Sequence, residues 1–245
     1  MIWGDYHIHT TYSGCNGHAT GTPETILKEA TQKGLKQVGI CDHGINHALY
    51  GTTPLRLKKL KSALDYLNST QSQVRMLTGI EANIYSFDGD VDSDRLDRGA
   101  LDLVVAGFHK MVWGKKLADG AELSFSQIFG VQTEQVKRKF TSAVVKAIKN
   151  NKIDILAHPG YGFPLDIAEV IKVATDYDVA LEFNGKRILL SDEQLLQIAE
   201  SKVRIVANSD AHDAKRVGEV GLPIETCKRL GIPLERIANF NGVLF

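Results

Sequence analysis

Seven short segments rich in β-branched and aliphatic residues recur along the chain, and longer amphipathic segments separate them. The short segments predict strands at 3–9, 37–43, 75–84, 101–109, 153–158, 179–184 and 204–210. The intervening segments predict helices at about 23–33, 54–68, 133–150, 165–176 and 192–201. Strand–helix alternation with nearly continuous apolar strands is typical of parallel strands covered by helices. Seven such strands in series predict an α/β barrel.

The chain shows no sign of a division into domains. No Pro-, Ser- or Gly-rich linker or repeat interrupts it, so residues 1–245 are predicted to form a single domain. Thr22 and Pro23 mark the start of the first helix, and Ser191 is a cap candidate for the helix at 192–201. Residues 85–100 lack periodicity and predict a loop, while residues 217–245 predict a capping helix and a tail.

Composition restricts the partners that we expect. Lys plus Arg and Asp plus Glu number 29 each, so the formal net charge is zero and neither a nucleic-acid track nor an anionic membrane surface is favoured. The sequence MIWGDYHIHT lacks the regions of a secretory signal, and no apolar stretch is long enough to span a bilayer. Cys15, Cys41 and Cys227 form neither a CxxC pair nor a disulfide framework, which favours a reducing compartment. We expect a cytoplasmic protein.

Side chains that bind metals stand at or near the ends of six predicted strands. They are His7 and His9 on the first, His43 on the second, Glu81 on the third, His109 on the fourth, His158 on the fifth, and Asp210 and His212 on the seventh. The carboxyl ends of the strands of a parallel barrel form one rim, where the chemistry is carried out. Because residues two apart on a strand point to the same face, the two side chains of HxH or DxH can approach one ion together.

A single HxH motif usually means no more than two partly exposed histidines at a strand end. Six strands that each place such a side chain at one rim weigh against that alternative, because buried imidazoles and carboxylates must each find a partner. Imidazole and carboxylate ligands without thiolate suit Zn, Mn or Fe. Eight ligands exceed the four of one tetrahedral ion, so the set implies at least two ions, and three is the favoured number.

The motifs DYHIHT, CDHG, GIEANI, GFHK, AHPG and NSDAH, in this order, resemble those of the PHP (polymerase and histidinol phosphatase) metallophosphoesterases. The resemblance covers residues 5–213, and GIEANIYSFDGDVD with LDLVVAGFHK is particularly similar to a stand-alone bacterial subgroup of trizinc phosphatases. The segment TTYSGCNGHATG differs from the Cys-Pro-His-Gly type segment that follows HxH in histidinol phosphatases proper, which disfavours histidinol phosphate as the substrate. The resemblance implies a distorted seven-stranded (β/α)7 TIM-like barrel, in agreement with the strand count.

The resemblance also implies three divalent metal ions, Zn first, with Mn or Fe as alternatives. It assigns one ion to His7, His9, Glu81 and Asp210, a second to Glu81 as a bridge with His109 and His158, and a third to His18, His43 and His212. His18 enters through the resemblance alone, because a histidine in a glycine-rich loop is usually solvated. Three divalent ions would contribute a charge of +6, and Glu81, Asp210 and a bridging hydroxide would reduce it to about +3, which attracts phosphate. We therefore expect a phosphatase that hydrolyses a small phosphorylated metabolite, with a metal-bound hydroxide rather than a Ser or Cys side chain as the nucleophile.

Other polar residues near the strand ends are predicted to support this site. Asp42 precedes His43 and is predicted to act from behind the ligands, and Asp5 is predicted to orient an imidazole. Lys110, Lys186 and Arg187 follow strand ends and are candidates to contact the phosphate of the substrate, with a solvated cation as the alternative for each.

Two other functions stay open. An amidohydrolase-type metal hydrolase also uses HxH on its first strand, but His43 and Glu81 on the second and third strands favour phosphoester chemistry. A non-catalytic PHP scaffold module would be expected to have lost ligands, whereas all nine positions are filled. The acidic segment 88–94 lacks the Gly and Glu of an EF-hand loop and is interpreted as an acidic turn. His47 has no partner that the sequence identifies.

Overall fold

The structure, a computed structural model, describes residues 2–14, 17–71, 73–129 and 133–245, so Cys15 lies outside the described residues. These residues form seven strands and seven α-helices. They are β1 Gly4–Ile8, α1 Pro23–Gln32, β2 Gln37–Ile40, α2 Pro54–Thr70, β3 Arg75–Asn83, β4 Leu103–Gly107, α3 Leu117–Phe129, α4 Glu134–Asn150, β5 Ile155–Leu156, α5 Ile167–Asp176, β6 Ala180–Asn184, α6 Asp192–Glu200, β7 Ile205–Asn208 and α7 Gly221–Leu230. Among these described elements no α-helix lies between β3 and β4, and two lie between β4 and β5. Each strand pairs in parallel with the next in chain order. The predicted α/β barrel of seven parallel strands is confirmed.

The seam between β1 and β7 gives the barrel its distortion. At the carboxyl end of the seam, the backbone N–H of His9 donates to the carbonyl oxygen of Ala211 over 2.8 Å. Nearer the amino end of β1, a side chain takes the place of a backbone hydrogen bond between the strands. Asn208 Oδ1 accepts a hydrogen bond of 2.9 Å from the backbone N–H of Tyr6. A few single contacts, rather than a regular ladder among the described residues, therefore close the barrel where the first and last strands meet.

A residue from the C-terminal segment completes this seam from the amino end of the strands. Asn239 is fully buried, and its Nδ2 donates to the carbonyl oxygens of Gly4 over 2.8 Å and Ala207 over 2.7 Å. Its Oδ1 accepts from the backbone N–H of Ala207 over 3.0 Å. One side chain thus joins β1 to β7 by hydrogen bonds that a regular ladder would otherwise make.

We expect Asn239→Ala to lower the free energy of unfolding by about 2–4 kcal/mol, because it leaves several buried backbone groups without partners. Urea denaturation of the variant and the parent protein measures this loss. Asn241→Ala is a matched control, since Asn241 is exposed and its side chain donates one hydrogen bond, to the carbonyl oxygen of Glu235. A loss for Asn239→Ala no larger than that of the control would show that the seam does not depend on this side chain.

Two apolar clusters make up the core. The larger lies between the strands and the surrounding helices, and the smaller consists of strand and strand-end residues, among them Tyr6, Cys41 and Val105. The end of the chain covers the smaller cluster, since the ring of Phe245 packs edge-on against Tyr6 with centroids 5.1 Å apart. The backbone N–H of Leu244 also donates to the hydroxyl of Tyr6 over 2.8 Å. The amino end of the barrel is therefore plugged, and the carboxyl end is left for the site.

The predicted helix starts are confirmed by their caps. Thr22 accepts a hydrogen bond from the backbone N–H of Thr25, and Pro23 takes the first helical position, where no N–H is needed. Ser191 caps α6 in a reciprocal arrangement with Gln194. These local signals fix where the helices begin and hence how long the loops at the rim are.

One helix was not predicted, and the loop at 85–100 contains more structure than expected. The helix α3 lies in a segment to which the sequence analysis assigned no element. The predicted loop includes two short 3₁₀ turns, Asp92–Arg95 and Arg98–Ala100, and Asp92 is fully buried. No helix among the described residues combines the length and the apolar character needed to cross a membrane.

Candidate metal centre

The carboxylate of Glu81 lies at the centre of the predicted ligands. Its Oε1 is 2.8 Å from His109 Nε2, 2.9 Å from His158 Nε2 and 3.1 Å from His7 Nε2. These four residues belong to four strands or their carboxyl ends, and all are nearly buried. The structure thus brings imidazoles from distant parts of the sequence to one oxygen atom.

The second oxygen of Glu81 faces the other predicted ligands. Glu81 Oε2 is 2.6 Å from His43 Nδ1 and 3.5 Å from His9 Nε2. On its far side, His43 Nε2 lies 2.9 Å from His18 Nε2, which in turn lies 3.0 Å from His212 Nε2. The ring of His43 therefore stands between Glu81 and a group of three histidine nitrogens that includes its own.

Three overlapping groups of ligand atoms come within 4.8 Å of one another. They are His7 with His9 and Asp210, His43 with Glu81 and His109, and His9 with His43 and His212. His18 and His158, the remaining predicted ligands, contact these groups through the distances given above. All nine predicted ligands are therefore gathered at one end of the barrel.

Unpartnered buried atoms test whether this arrangement suits metal ions. His7 Nε2, both ring nitrogens of His9, His43 Nδ1 and Glu81 Oε2 are buried and make no hydrogen bond of acceptable geometry to a described residue, although His43 Nδ1 and Glu81 Oε2 lie only 2.6 Å apart. Buried polar atoms are rarely left in this way, because each costs free energy without a partner. Nitrogen and carboxylate oxygen atoms that face a common point, without thiolate, form a donor set that suits Zn, Mn or Fe. The residues fit divalent metal ions.

The charges within the cluster also agree with metal ligation. Burial, together with the neighbouring His212 and His43, holds the pKa of His9 well below its ordinary value, so the ring is neutral as a ligand must be. Burial alone would raise the pKa of the Glu81 carboxyl, but His109, His7 and His43 hold it well below its ordinary value. The central carboxylate is therefore ionised at neutral pH.

Glu182 orients His7 from behind. The Nδ1–H of His7 donates to Glu182 Oε1 over 2.8 Å, which leaves Nε2 directed at Glu81 and the cluster. Glu182 Oε2 accepts from the backbone N–H of His158 over 2.8 Å and from Asn184 Nδ2 over 2.9 Å. The sequence analysis did not identify this role, although a glutamate at the end of an apolar strand was a signal that could have suggested it.

We expect Glu182→Gln to weaken metal binding by about 10- to 100-fold, because a carboxylate behind a ligating histidine fixes its tautomer and raises its basicity. Titration of the metal-free protein with the metal measures the affinity. Glu193→Gln in the first turn of α6 is the matched control, since Glu193 is exposed. Equal affinity in the two variants would contradict the role given to Glu182.

Asn83 and Asp92 orient His109 in a similar way. Asn83 Nδ2 donates to Asp92 Oδ2 over 2.6 Å, so the amide oxygen of Asn83 is turned toward His109. The Nδ1–H of His109 donates to that oxygen over 2.8 Å, and the Nε2 lone pair faces Glu81. The acidic segment at 88–94 thus supplies a buried carboxylate that fixes the amide and, through it, the imidazole.

The two aspartates predicted to support the ligands hold the backbone. Asp5 accepts hydrogen bonds from the backbone N–H of Ser209 over 3.0 Å and of Gly218 over 2.8 Å. It does not orient His7 as predicted, since the carboxylate at His7 Nδ1 is that of Glu182. Asp42 accepts from the backbone N–H and the hydroxyl of Thr10 over 2.7 and 2.6 Å. Burial raises the pKa of Asp42 to about 6. Each aspartate fixes a loop that follows a ligand pair.

Two predicted ligands have unusual backbone conformations. His158 and Asp210 have φ angles of 28° and 51°, in the left-handed region that residues other than glycine rarely adopt. Such conformations cost about 1–3 kcal/mol each and are concentrated at functional sites. The chain leaves both strands in a sharp turn that aims the side chain at the cluster.

A cavity of about 300 Å³ opens above the cluster, and the three cations predicted to bind substrate line it. The guanidinium of Arg187 lies over the ring of Tyr161 at 4.4 Å from the centroid, and Lys110 Nζ lies 5.9 Å from the same centroid. Lys186 Nζ is 3.3 Å from Asp210 Oδ1 and 2.9 Å from the Nδ1 of His212. His47, for which the sequence identified no partner, also lines this cavity.

Comparison with known proteins agrees with the sequence motifs. A family model described as PHP domain matches residues 5–228. A relative named probable phosphatase from Shewanella piezotolerans is 31% identical, over 96% of this chain and 88% of its own length. A relative of the same name from Aeromonas hydrophila is 32% identical, over 95% and 87%. The solved histidinol phosphate phosphatase of Lactococcus lactis, complexed with zinc, L-histidinol and phosphate, has a TM-score of 0.66 over 95% of both chains at 16% identity, a likeness of fold.

Proposed function

This chain belongs to the PHP domain family, and on that premise we propose that it is a metal-dependent phosphatase acting on a small phosphorylated metabolite. The observation that carries the proposal is the convergence of nine predicted ligands, with buried unpartnered nitrogen and oxygen atoms, at the carboxyl end of the barrel. The relatives named probable phosphatases, which align with nearly the whole chain, support the same activity.

We propose that the cluster holds three divalent ions, with zinc as the expected metal. His7, His9, Glu81 and Asp210 would hold the first ion, Glu81 with His109 and His158 the second, and His18, His43 and His212 the third. The overlap of the three ligand groups at His9 and His43 supports ions that lie close together. A carboxylate with one oxygen near three imidazoles and the other near two more is placed to act as a bridge.

When bound, the ions supply Lewis acidity and acidify a water molecule so that hydroxide is available near neutral pH. The protein's own residues prepare the site for this chemistry. Glu182 and Asn83 keep the Nε2 lone pairs of His7 and His109 on the cluster through hydrogen bonds to their Nδ1 atoms. No protein nucleophile is required, and the described cysteines, Cys41 and Cys227, are buried in the two apolar clusters away from the cavity.

The cavity suits a small phosphate monoester. Its volume of about 300 Å³ is at the lower end of the range for small-molecule sites. Lys110, Lys186 and Arg187 would bind phosphoryl oxygens or another anionic group, and Tyr161 holds the guanidinium of Arg187 at the rim. Cationic side chains beside a polynuclear cluster favour an anionic substrate over a neutral amide.

A phosphate-release screen tests the proposal. Metal-free protein is loaded separately with Zn, Mn or Fe and assayed on a panel of phosphate monoesters and, in parallel, on cyclic amides. We expect phosphate release with at least one metal and no hydrolysis of amides. Amide hydrolysis without phosphate release would identify an amidohydrolase-type enzyme instead, and a metal-loaded protein that hydrolyses neither class would be a scaffold module.

A further inference from the structure

His47 is the histidine that the predicted metal centre leaves without a role. The sequence contains eight histidines, and the other seven are the predicted ligands. The ring of His47 lies 5.0 Å from that of His43 and 6.1 Å from that of His109, between centroids. It lines the cavity above the cluster, yet only 9% of the residue is exposed. A nearly buried imidazole in such a place requires polar partners.

The backbone around His47 holds the ring in place. The N–H of His47 donates to the carbonyl oxygen of Gly44 over 3.1 Å, and its own carbonyl oxygen accepts from the N–H of Gly51 over 3.1 Å. His47 also forms an antiparallel bridge with Val112 in the loop that follows β4. The ring is therefore positioned by two rim loops rather than by contact with solvent.

The two ring nitrogens of His47 have different environments. Nδ1 accepts hydrogen bonds from the backbone N–H groups of Leu49 over 3.3 Å and Tyr50 over 3.2 Å. Because both partners are donors, Nδ1 must carry a lone pair and the proton of the neutral ring must lie on Nε2. Nε2 makes no hydrogen bond to a described residue, and the residue that carries it lines the cavity, so this N–H is available to a molecule bound there.

This arrangement is the reverse of that found at the ligands. In His7 and His109 the Nδ1–H faces an acceptor, Glu182 or Asn83, and the Nε2 lone pair is free to bind a metal. In His47 the lone pair of Nδ1 is already used and Nε2 carries a proton, so neither nitrogen is available as a ligand. The backbone of residues 49 and 50 thus determines that this histidine is a hydrogen-bond donor.

We propose that the Nε2–H of His47 donates a hydrogen bond to a phosphoryl oxygen of the substrate bound in this cavity. The inference rests on the proposed phosphatase function and adds a specific substrate contact to it. A neutral imidazole N–H adds a hydrogen-bond donor here without adding positive charge to a cavity that Lys110, Lys186 and Arg187 already line. Since Nδ1 already accepts from two backbone N–H groups, the neutral ring keeps its proton on Nε2 and can donate it in a hydrogen bond.

The experiment compares two amide variants that each keep one half of the imidazole. In His47→Asn the amide oxygen takes the place of Nδ1 and can accept from Leu49 and Tyr50, while the donor at Nε2 is lost. In His47→Gln the longer side chain restores an N–H near the position of Nε2. Calorimetric titration of metal-loaded protein with inorganic phosphate measures binding, and kcat/KM for one phosphate ester measures turnover.

We expect His47→Asn to weaken phosphate binding and to reduce kcat/KM, each by about 10- to 100-fold. A hydrogen bond to a charged acceptor such as a phosphoryl oxygen is stronger than one between two neutral groups. His47→Gln should recover part of both losses. The metal content of His47→Asn should equal that of the parent, because His47 is not a ligand. Long-range ¹H–¹⁵N spectra of the metal-free parent should show the ring proton on Nε2, a result that does not depend on activity.

Several results would overturn the inference. Phosphate affinity unchanged in His47→Asn would show that the ring does not contact the substrate, and loss of metal from this variant would make His47 a ligand. A ring proton on Nδ1 would remove the basis of the argument. If the metal-loaded parent neither binds nor releases phosphate, the proposed function fails together with this inference, whereas a normal parent with an unaffected His47→Asn variant overturns the inference alone.

Discussion

Glu81→Gln is expected to reduce phosphate release by more than about 10³-fold while the protein stays folded. Removal of one electrostatic contact in an active site commonly costs about 10²–10³-fold. Glu81 lies within 3.5 Å of five imidazoles, so its loss affects ligands of each of the three proposed metal ions. The amide also carries no negative charge, and its N–H₂ group has no lone pair to offer a metal ion. His9→Ala should have a comparable effect, because its Nε2 lies 3.5 Å from both Glu81 Oε2 and Asp210 Oδ1 and makes no hydrogen bond to a described residue.

The measurements are initial rates of phosphate release, metal content by elemental analysis and thermal unfolding. We expect the metal content of Glu81→Gln to fall below that of the parent and the circular dichroism spectrum to stay the same. Glu225→Gln on α7 is the matched control, since Glu225 is exposed and its helix supplies none of the predicted ligands. A folded Glu81→Gln variant with the activity of the control would show that the chemistry takes place elsewhere.

Removal of the metal is expected to lower the melting temperature as well as to abolish phosphate release. An ion present at about 1,000 times its dissociation constant stabilises the folded state by about 4 kcal/mol. For a chain of this length about 1 kcal/mol corresponds to about 2–4 °C, so one ion bound in this way is worth about 8–16 °C. The physical reason is that the ligand atoms of His7, His9, His43 and Glu81 are buried without hydrogen-bond partners unless an ion provides one.

The affinity for the metal should also fall as the pH is lowered. Burial alone would lower the pKa of His7, but Glu182, Glu81 and Asp210 raise it well above the ordinary value of a histidine. The metal-free ring therefore carries a proton at neutral pH that the ion must displace from Nε2. Below the pKa of His7 each pH unit should weaken the apparent affinity by about tenfold for this one proton. Titrations of metal affinity between about pH 6 and about pH 8 measure this slope. An affinity that does not change over this range would contradict the displacement of a proton from His7, and a metal that stabilises the protein at no pH would contradict the proposed centre.

The rim at which the predicted ligands lie could be predicted from the sequence, because parallel strands deliver their carboxyl ends to one side of a barrel. His7 and His9, at the end of β1, were recognisable as a pair because residues two apart on a strand share a face. Asp210 and His212 lie beyond the end of β7, and the φ angle of 51° at Asp210 was not predictable from strand alternation. His18 is in a loop, where no periodicity applies, and it was named through the resemblance alone. In the structure its Nε2 lies 2.9 Å from that of His43.

The residues that orient the ligands could not be predicted in the same way. Which carboxylate stands behind which imidazole depends on the packing of strands that are far apart in sequence, as in the pairing of His7 with Glu182 across 175 positions. Asp92 lies in an acidic turn that has the composition of a solvated loop, yet it is fully buried beneath Asn83. The role of His47 depends on the direction of two backbone N–H groups, which no residue pattern reveals.

The helix α3 escaped prediction because it lacks the apolar stripe on which the prediction of helices depends. Leu117, Phe125 and Ile128 are exposed, and of its described side chains only Leu123 and Ser126 are buried. A helix that packs through so narrow a face shows little periodicity in its sequence. Gly120 in its first turns weakens the helical signal further.

The closure of the barrel by Asn239 has a consequence for the order in which the fold can form. His7 and His9 precede Asp210 and His212 by some two hundred positions, and the side chain of Asn239 joins the two strands at whose carboxyl ends these pairs lie. Contacts between such distant parts of a chain form slowly, because a long loop must close before they are made. We therefore expect the candidate ligands to come together late in refolding, after the helices and the neighbouring strand pairs have formed.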